Sequence, residues 1–274
     1  MIPDVTIVWI NVEKSILCTD HLINKDSSLY SCMKVIVSLT TIPSRIEKAI
    51  EIAKENVMQG CHEVWLNIPH VYNRFPDWDG HVPVVDHPKI VVNRCLDYGP
   101  ATKVFGPAMI LDPDDLIVYI DDDTHYDIRM VTNLLRWYKT DQKAVWGLSG
   151  FNLNLYFQGL YPRQHGSKVD VIEGYGGVLV KAGWIQQIHN DFVELKQEAR
   201  FADDIVLSNL LNKIGVCRRT VFVPECHIGL IEQKSYGFDQ DALHHQVQGG
   251  HKTNYMNVLI NLQNKGKNYF EFRC

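Results

Sequence analysis

From Lys34 onward, buried-strand runs alternate with helical periodicities. KVIVSLTT (34–41) is a continuous apolar run suited to a parallel strand covered on both faces. Pro43 and Ser44 then open an amphipathic stretch, SRIEKAIEIAKENVMQG, which Gly60 closes. EVWLNIP predicts a second strand and KIVVNRC a third, separated by a loop rich in Pro, Asp and His. Residues 100–111 read as a helix, LIVYID as a strand, 127–139 as a helix and AVWGLSG as a further strand. Repeated βα units with apolar strands predict a mostly parallel central sheet flanked by helices, an α/β sandwich.

The second half is less regular. Glycines punctuate short apolar pieces between 150 and 182, with VDVIEGYGGVLV as the strongest strand-turn-strand signal. FADDIVLSNLLNKIG has helical apolar spacing, CRRTVFVP predicts a late strand, and TNYMNVLINLQNKG a helix followed by a short strand. Residues 1–32 differ: one apolar run, VTIVWI, precedes weakly patterned polar sequence, so they form either an extension or an extra edge strand. No boundary interrupts 33–274, which is expected to be a single domain.

Composition narrows the function classes. Lys and Arg number 27 against 32 Asp and Glu, a net charge of −5, opposite in sign to a protein that grips a nucleic-acid backbone. No apolar stretch approaches the ~18–20 residues of a membrane span. Seven cysteines are dispersed without a CxxC pair, which fits reduced thiols. With no basic flank or small-residue cleavage site near the N-terminus, the expected location is cytoplasmic.

The chemistry concentrates where LIVYI runs into Asp121, Asp122 and Asp123. Ligands of open α/β sheets bind beyond the carboxyl ends of strands, and three adjacent carboxylates favour a hard cation such as Mn²⁺ or Mg²⁺. Strand alternation would place Asp121 and Asp123 on one side and Asp122 on the other. The pair Asp203–Asp204 precedes an apolar-periodic helix; one carboxylate suits the helix N-terminus, which leaves the other for proton transfer or a substrate hydroxyl. TTIPSR (40–45) and YGPATK (98–103) each combine a proline turn, hydroxyls and one cation, Arg45 or Lys103, and can reach a nucleotide diphosphate or simply cap helices. The glycines of 173–177 permit close backbone approach to a ligand, or only a tight turn. Among 12 histidines, His227 stands out because it follows the late strand, as a metal ligand or a surface group. LNLYFQG (153–159) resembles a common engineered protease site, but it sits between native-looking segments and is read as coincidence.

SLTTIPSR, YGPATK, IVYIDDD, EGYGGVLV and ADDIVLS, in that order over roughly 34–227, resemble glycosyltransferases of the GT-A fold. The likeness is greatest to small family-2-like members, including domains encoded by large algal viruses. It implies a GT-A (Rossmann-like) domain over 33–274, with a nucleotide-binding half of about 33–125 and an acceptor half of about 126–274. The implied activity moves a sugar from a nucleotide-sugar donor, expected to be a UDP-sugar, to a hydroxyl of a glycan or glycoconjugate with inversion. Thr40, Thr41, Arg45 and Lys103 would then lie along the nucleotide, with Asp122 beside them. Asp121 would face the ribose or base and share the metal with Asp123, and His227 would add a ligand. Asp204 matches the second acid of the family's xED motif, the general base. Here the motif reads Ala-Asp-Asp, so Asp203 shares that candidacy.

Two other classes compete. A haloacid-dehalogenase-like phosphohydrolase also carries DxD at a strand end, but on its first core strand, whereas LIVYI is at least the fourth here. A non-catalytic nucleotide-sugar-binding module would tolerate loss of the acids, all of which are present.

Overall fold

The computed structural model describes residues 33–160, 167–221, 231–233 and 250–270. The first elements are β1 (Val35–Thr40), α1 (Ile46–Asn56), β2 (Glu63–Pro69), β3 (Ile90–Cys95), α2 (Thr102–Ala108) and β4 (Leu116–Tyr119). Next come β5 (Thr124–Tyr126), α3 (Met130–Tyr138), β6 (Ala144–Gly147), β7 (Gly150–Phe151), α4 (Leu153–Phe157), β8 (Val171–Ile172) and β9 (Val178–Lys181). The chain continues with α5 (Ala182–Glu194), α6 (Lys196–Ala199), α7 (Asp203–Lys213), β10 (Cys217–Thr220), β11 (Ile231–Gln233) and α8 (Gly250–Asn264).

Seven strands form the central sheet in the order β10-β6-β9-β4-β1-β2-β3. Every neighbouring pair is parallel except those of β9, which runs antiparallel to both β4 and β6. This is the mostly parallel, Rossmann-like α/β sandwich expected from the alternating pattern. Alternate strand residues feed two cores. Ile36, Ile117, Tyr119 and Val180 join α2, α5, α7 and α8 on one face, and Val35, Val37, Leu116, Val118 and Leu179 join α1 and α3 on the other. Burial on both faces explains why these strands read as unbroken apolar runs.

Several details differ from the sequence reading. The two strands of VDVIEGYGGVLV do not pair with each other. β8 pairs with β7 in a separate ribbon, and β9 inserts into the main sheet. No strand follows α8 within 267–270, because side chains take the backbone groups an edge would have used. Asn209 donates to the Lys267 carbonyl and accepts from the Tyr269 amide, and Asn212 donates to the Tyr269 carbonyl. α5 and α6 had no counterpart in the sequence reading, and α3 begins three residues later than expected. Residues 1–32, and hence their reading as extension or edge strand, lie outside the described residues.

One polar chain runs through the apolar sheet. Asn93 Nδ2 donates to Asn67 Oδ1 (2.9 Å), Asn67 Nδ2 donates to Ser38 Oγ (2.8 Å), and Ser38 Oγ donates to the Lys103 carbonyl (2.6 Å). Asn67 and Ser38 are fully buried, so these bonds satisfy groups that water cannot reach and fix α2 against β1. Asn67→Ala should therefore lower stability by about 3 kcal/mol by taking the donor from Ser38 and the acceptor from Asn93, read as a fall in the urea midpoint at unchanged slope.

Candidate active site

The site forms at the carboxyl ends of β1 and β4, where the backbone leaves the sheet. Ile120 still donates to the Ser38 carbonyl; beyond it the Asp121 amide donates to Tyr126 Oη (3.0 Å) instead. The Tyr126 hydroxyl in turn donates to the Tyr175 carbonyl (2.8 Å), tying the aspartate turn to the glycine turn at 174–176. The period-two expectation for Asp121–Asp123 fails here because all three lie past the end of β4. Asp121 Oδ1 accepts from Lys103 Nζ at 2.5 Å. Asp122 Oδ2 accepts from the Thr41 hydroxyl at 2.5 Å. Arg45 lies 3.6 Å from Asp122 and 3.4 Å from Asp123. Thr40 donates to the Asn67 carbonyl (2.8 Å), so its hydroxyl braces β1 against β2.

Asp203 and Asp204 open α7, where free N–H groups favour carboxylates. Asp204 Oδ1 accepts from the Gly174 amide (3.0 Å). Asp203 Oδ2 is buried, makes no hydrogen bond and lies 3.9 Å from Lys103 Nζ. Close approach makes position 174 tight. A Cβ there would sit 3.0 Å from Lys103 Nζ and 3.1 Å from Asp204 Oδ1. Lys103 and Arg45 are each only 5% exposed, so the surface-cation alternative for both is corrected.

Burial opposes ionisation at Lys103, Asp122, Asp203 and Asp204. Lys103 is discouraged from ionising by desolvation, but Asp121, Asp203 and Asp204 outweigh that and hold its pKa well above the ordinary lysine value. Burial, then the neighbouring Asp123, pushes Asp122 up to about 7 against the opposing Thr41 hydroxyl and Arg45. Burial also raises Asp203, partly offset by Lys103. Asp204 stands well above the carboxylate range because burial is reinforced by Asp203 beside it.

Thr40, Thr41, Arg45, Lys103, Asp121–Asp123, Asp203 and Asp204 all line one cleft of about 680 Å³, and His227 lies outside the described residues. Sequence reading missed much of its wall. Arg74 and Arg200 stack on Phe75 and Phe201 (5.1 and 5.0 Å to the ring centres), and Lys196, Tyr72, Tyr175 and Tyr255 complete the surface. The adjacent pairs Arg74-Phe75 and Arg200-Phe201 were visible in the sequence, but nothing there located them at the cleft. A smaller cavity of about 380 Å³ shares Asn73, Asp97, Tyr98 and Lys196 with the cleft, but neither acidic cluster reaches it. Among the described residues, no group of three or more His, Cys, Asp or Glu is arranged to hold a metal ion.

Neither a protein-family model nor a curated protein sequence matches the chain. Among solved structures, similarity is found to 2-C-methyl-D-erythritol 4-phosphate cytidylyltransferase of Francisella tularensis. The identity is 14% and the TM-score 0.43, over 70% of this chain and 90% of that one. At that distance the likeness carries nothing about chemistry, which rests on the cleft itself.

Two substitutions test the electrostatics with opposite signs. Asp204 binds its proton more tightly folded than unfolded, so its contribution to stability declines as pH rises from the ordinary carboxylate range through the folded pKa. Asp204→Asn can keep the bond from the Gly174 amide and removes that decline. Its thermal midpoint should exceed wild type by roughly 2–4 °C or more near neutral pH, with the gap shrinking toward about pH 4. Lys103→Met leaves the carboxylates without their buried cation and should cost about 3–5 kcal/mol in the same assay.

Proposed function

We propose that the chain is a metal-assisted glycosyltransferase. It transfers a sugar from a nucleotide-sugar, a UDP-sugar first among donors, to a hydroxyl of a glycan with inversion. The observation that carries this reading is the meeting of two acidic clusters, 80 residues apart in the chain, in one cleft with Lys103 between them.

The donor's phosphates fit the end held by Asp121–Asp123, Arg45 and Lys103. Asp121 and Asp123 would hold Mn²⁺ or Mg²⁺. They offer only hard oxygen donors, and such ions are commonly bound by one or two carboxylates plus substrate phosphates rather than by a closed protein cage. Asp122, pushed up by burial and by the neighbouring Asp123, supports the same assignment, because a cation there would relieve that repulsion. The ion supplies electrostatic stabilisation of charge developing on the leaving diphosphate.

The protein's own groups perform the transfer. An acceptor hydroxyl oxygen forms a bond to the anomeric carbon while the carbon–oxygen bond to the diphosphate breaks. That electron pair leaves on the diphosphate, and the hydroxyl proton passes to a carboxylate on the opposite face. Asp204 is the better base of its pair. Asp203 has the Lys103 ammonium 3.9 Å from its Oδ2, whereas Asp204 accepts from the Gly174 amide and, in its ionised form, is the carboxylate left to take the proton.

Calorimetry with UDP, GDP and TDP in Mn²⁺, Mg²⁺ or EDTA tests the donor half. Metal-dependent binding of one nucleotide is the expected result. Release of inorganic phosphate from a phosphomonoester would instead support the phosphohydrolase, and binding without turnover the non-catalytic module. Asp123→Ala should abolish metal-dependent nucleotide binding. Asp204→Asn should keep binding while transfer falls by roughly 10²–10⁴-fold.

A further inference from the structure

Helix α8 lies outside the βα units of the sheet, yet its first turns reach the cleft. His251 and Tyr255, one helical turn apart, both line it. The helix is anchored through Val258, Leu259 and Leu262, which are buried, and by Asn254 Nδ2 donating to the Phe201 carbonyl (2.9 Å) just before the Asp203–Asp204 pair. The Tyr255 ring stacks on Phe151 at 6.0 Å and 13°, and Tyr156 lies 5.7 Å away at 39°. Phe151 is 1% exposed, so Tyr255 rests on an immobile ring while bordering the cleft itself. Asp204, Glu173 and Asp203 are the carboxylates that bear on it and the His251 ring lies 6.2 Å away, which places Tyr255 at the α7 end of the cleft.

We infer that Tyr255 is the platform for a carbohydrate acceptor: a pyranose lies with a C–H face on the phenol ring and turns a hydroxyl toward Asp204. This rests on the transferase reading above. The negative face of an aromatic ring attracts the electropositive C–H groups of a sugar, and a ring already fixed by packing loses little entropy on binding. Burial and the carboxylates at this end of the cleft keep the Tyr255 hydroxyl protonated, so the ring adds no negative charge to the site.

The test is a glycan array of neutral and acidic oligosaccharides probed with labelled full-length protein in saturating UDP and Mn²⁺. UDP calorimetry and thermal unfolding are recorded for each variant. Wild type should capture a subset of glycans, Tyr255→Phe should stay within about 2-fold, and Tyr255→Leu should lose roughly tenfold. Leucine keeps apolar bulk against Phe151, so the expected loss comes with an unfolding temperature and UDP affinity close to wild type. If that variant fails to fold, Tyr255→Met replaces it in the same comparison. Equal glycan capture by Tyr255→Leu overturns the inference. So does a parallel loss of UDP affinity, which would assign the ring to the nucleobase, or wild type that binds UDP but no glycan. Glycan capture that depends on Tyr255 without any nucleotide binding would sink the transferase reading and leave the platform standing.

Discussion

The arrangement of the cleft depends on one buried ammonium. Lys103 contacts Asp121 at 2.5 Å and lies 3.9 Å from Asp203, so a single cation spans carboxylates that would otherwise repel across the site. In a partly desolvated setting such interactions are several-fold stronger than at a surface, and an unpaired charge is correspondingly costly. Lys103 is held by its backbone as well as by its charge. Its carbonyl receives the Ser38 hydroxyl, which is bonded in turn to Asn67 and through it to Asn93. The interior of the sheet thus sets the position of the cation that gathers the acids.

A second constraint is geometric. The Gly174 amide meets Asp204, the Tyr175 carbonyl meets Tyr126, and the same tyrosine hydroxyl receives the Asp121 amide. These contacts bring the late helix α7 against the turn that ends β4 through the short 3-10 turn at 174–176 and Tyr126 of β5. A side chain at position 174 would press on Lys103, Asp204 and Tyr119. The backbone around the aspartates is therefore fixed by amide donors and a buried phenol, while the Lys103 ammonium gathers their carboxylates.

Much of this was legible in the sequence, for identifiable reasons. KVIVSLTT, EVWLNIP and LIVYID announced β1, β2 and β4 because strands buried on both faces must be apolar throughout. The acids were visible because carboxylates directly after such a strand have few structural uses. The partition among Asp121, Asp122 and Asp123 was not legible, since alternation stops at Tyr119 and the turn is shaped by Tyr126, a tertiary partner. Tyr255 was equally hidden: TNYMNVLINLQNKG reads as an ordinary helix, and only packing on Phe151, more than 100 residues earlier, gives the ring its place. The burial of Lys103 and Arg45 could not be read from loops whose local pattern also suits a solvent-facing cation.

The antiparallel strand β9 has a consequence for how the chain must be made. It lies between β4 and β6, so the strand that delivers the aspartate turn gains its second neighbour only when residues 178–181 arrive. The parallel strands β1 to β4 can associate earlier, but β4 is then an apolar edge with unpaired amides and carbonyls, a template for pairing with other chains. At synthesis rates of roughly 5–20 residues per second, the 59 residues from Tyr119 to Val178 keep that edge open for about 3–12 s. The most apolar part of the sheet thus spends seconds as its most adhesive edge, and the same acidic turn that serves the cleft ends that edge in charge.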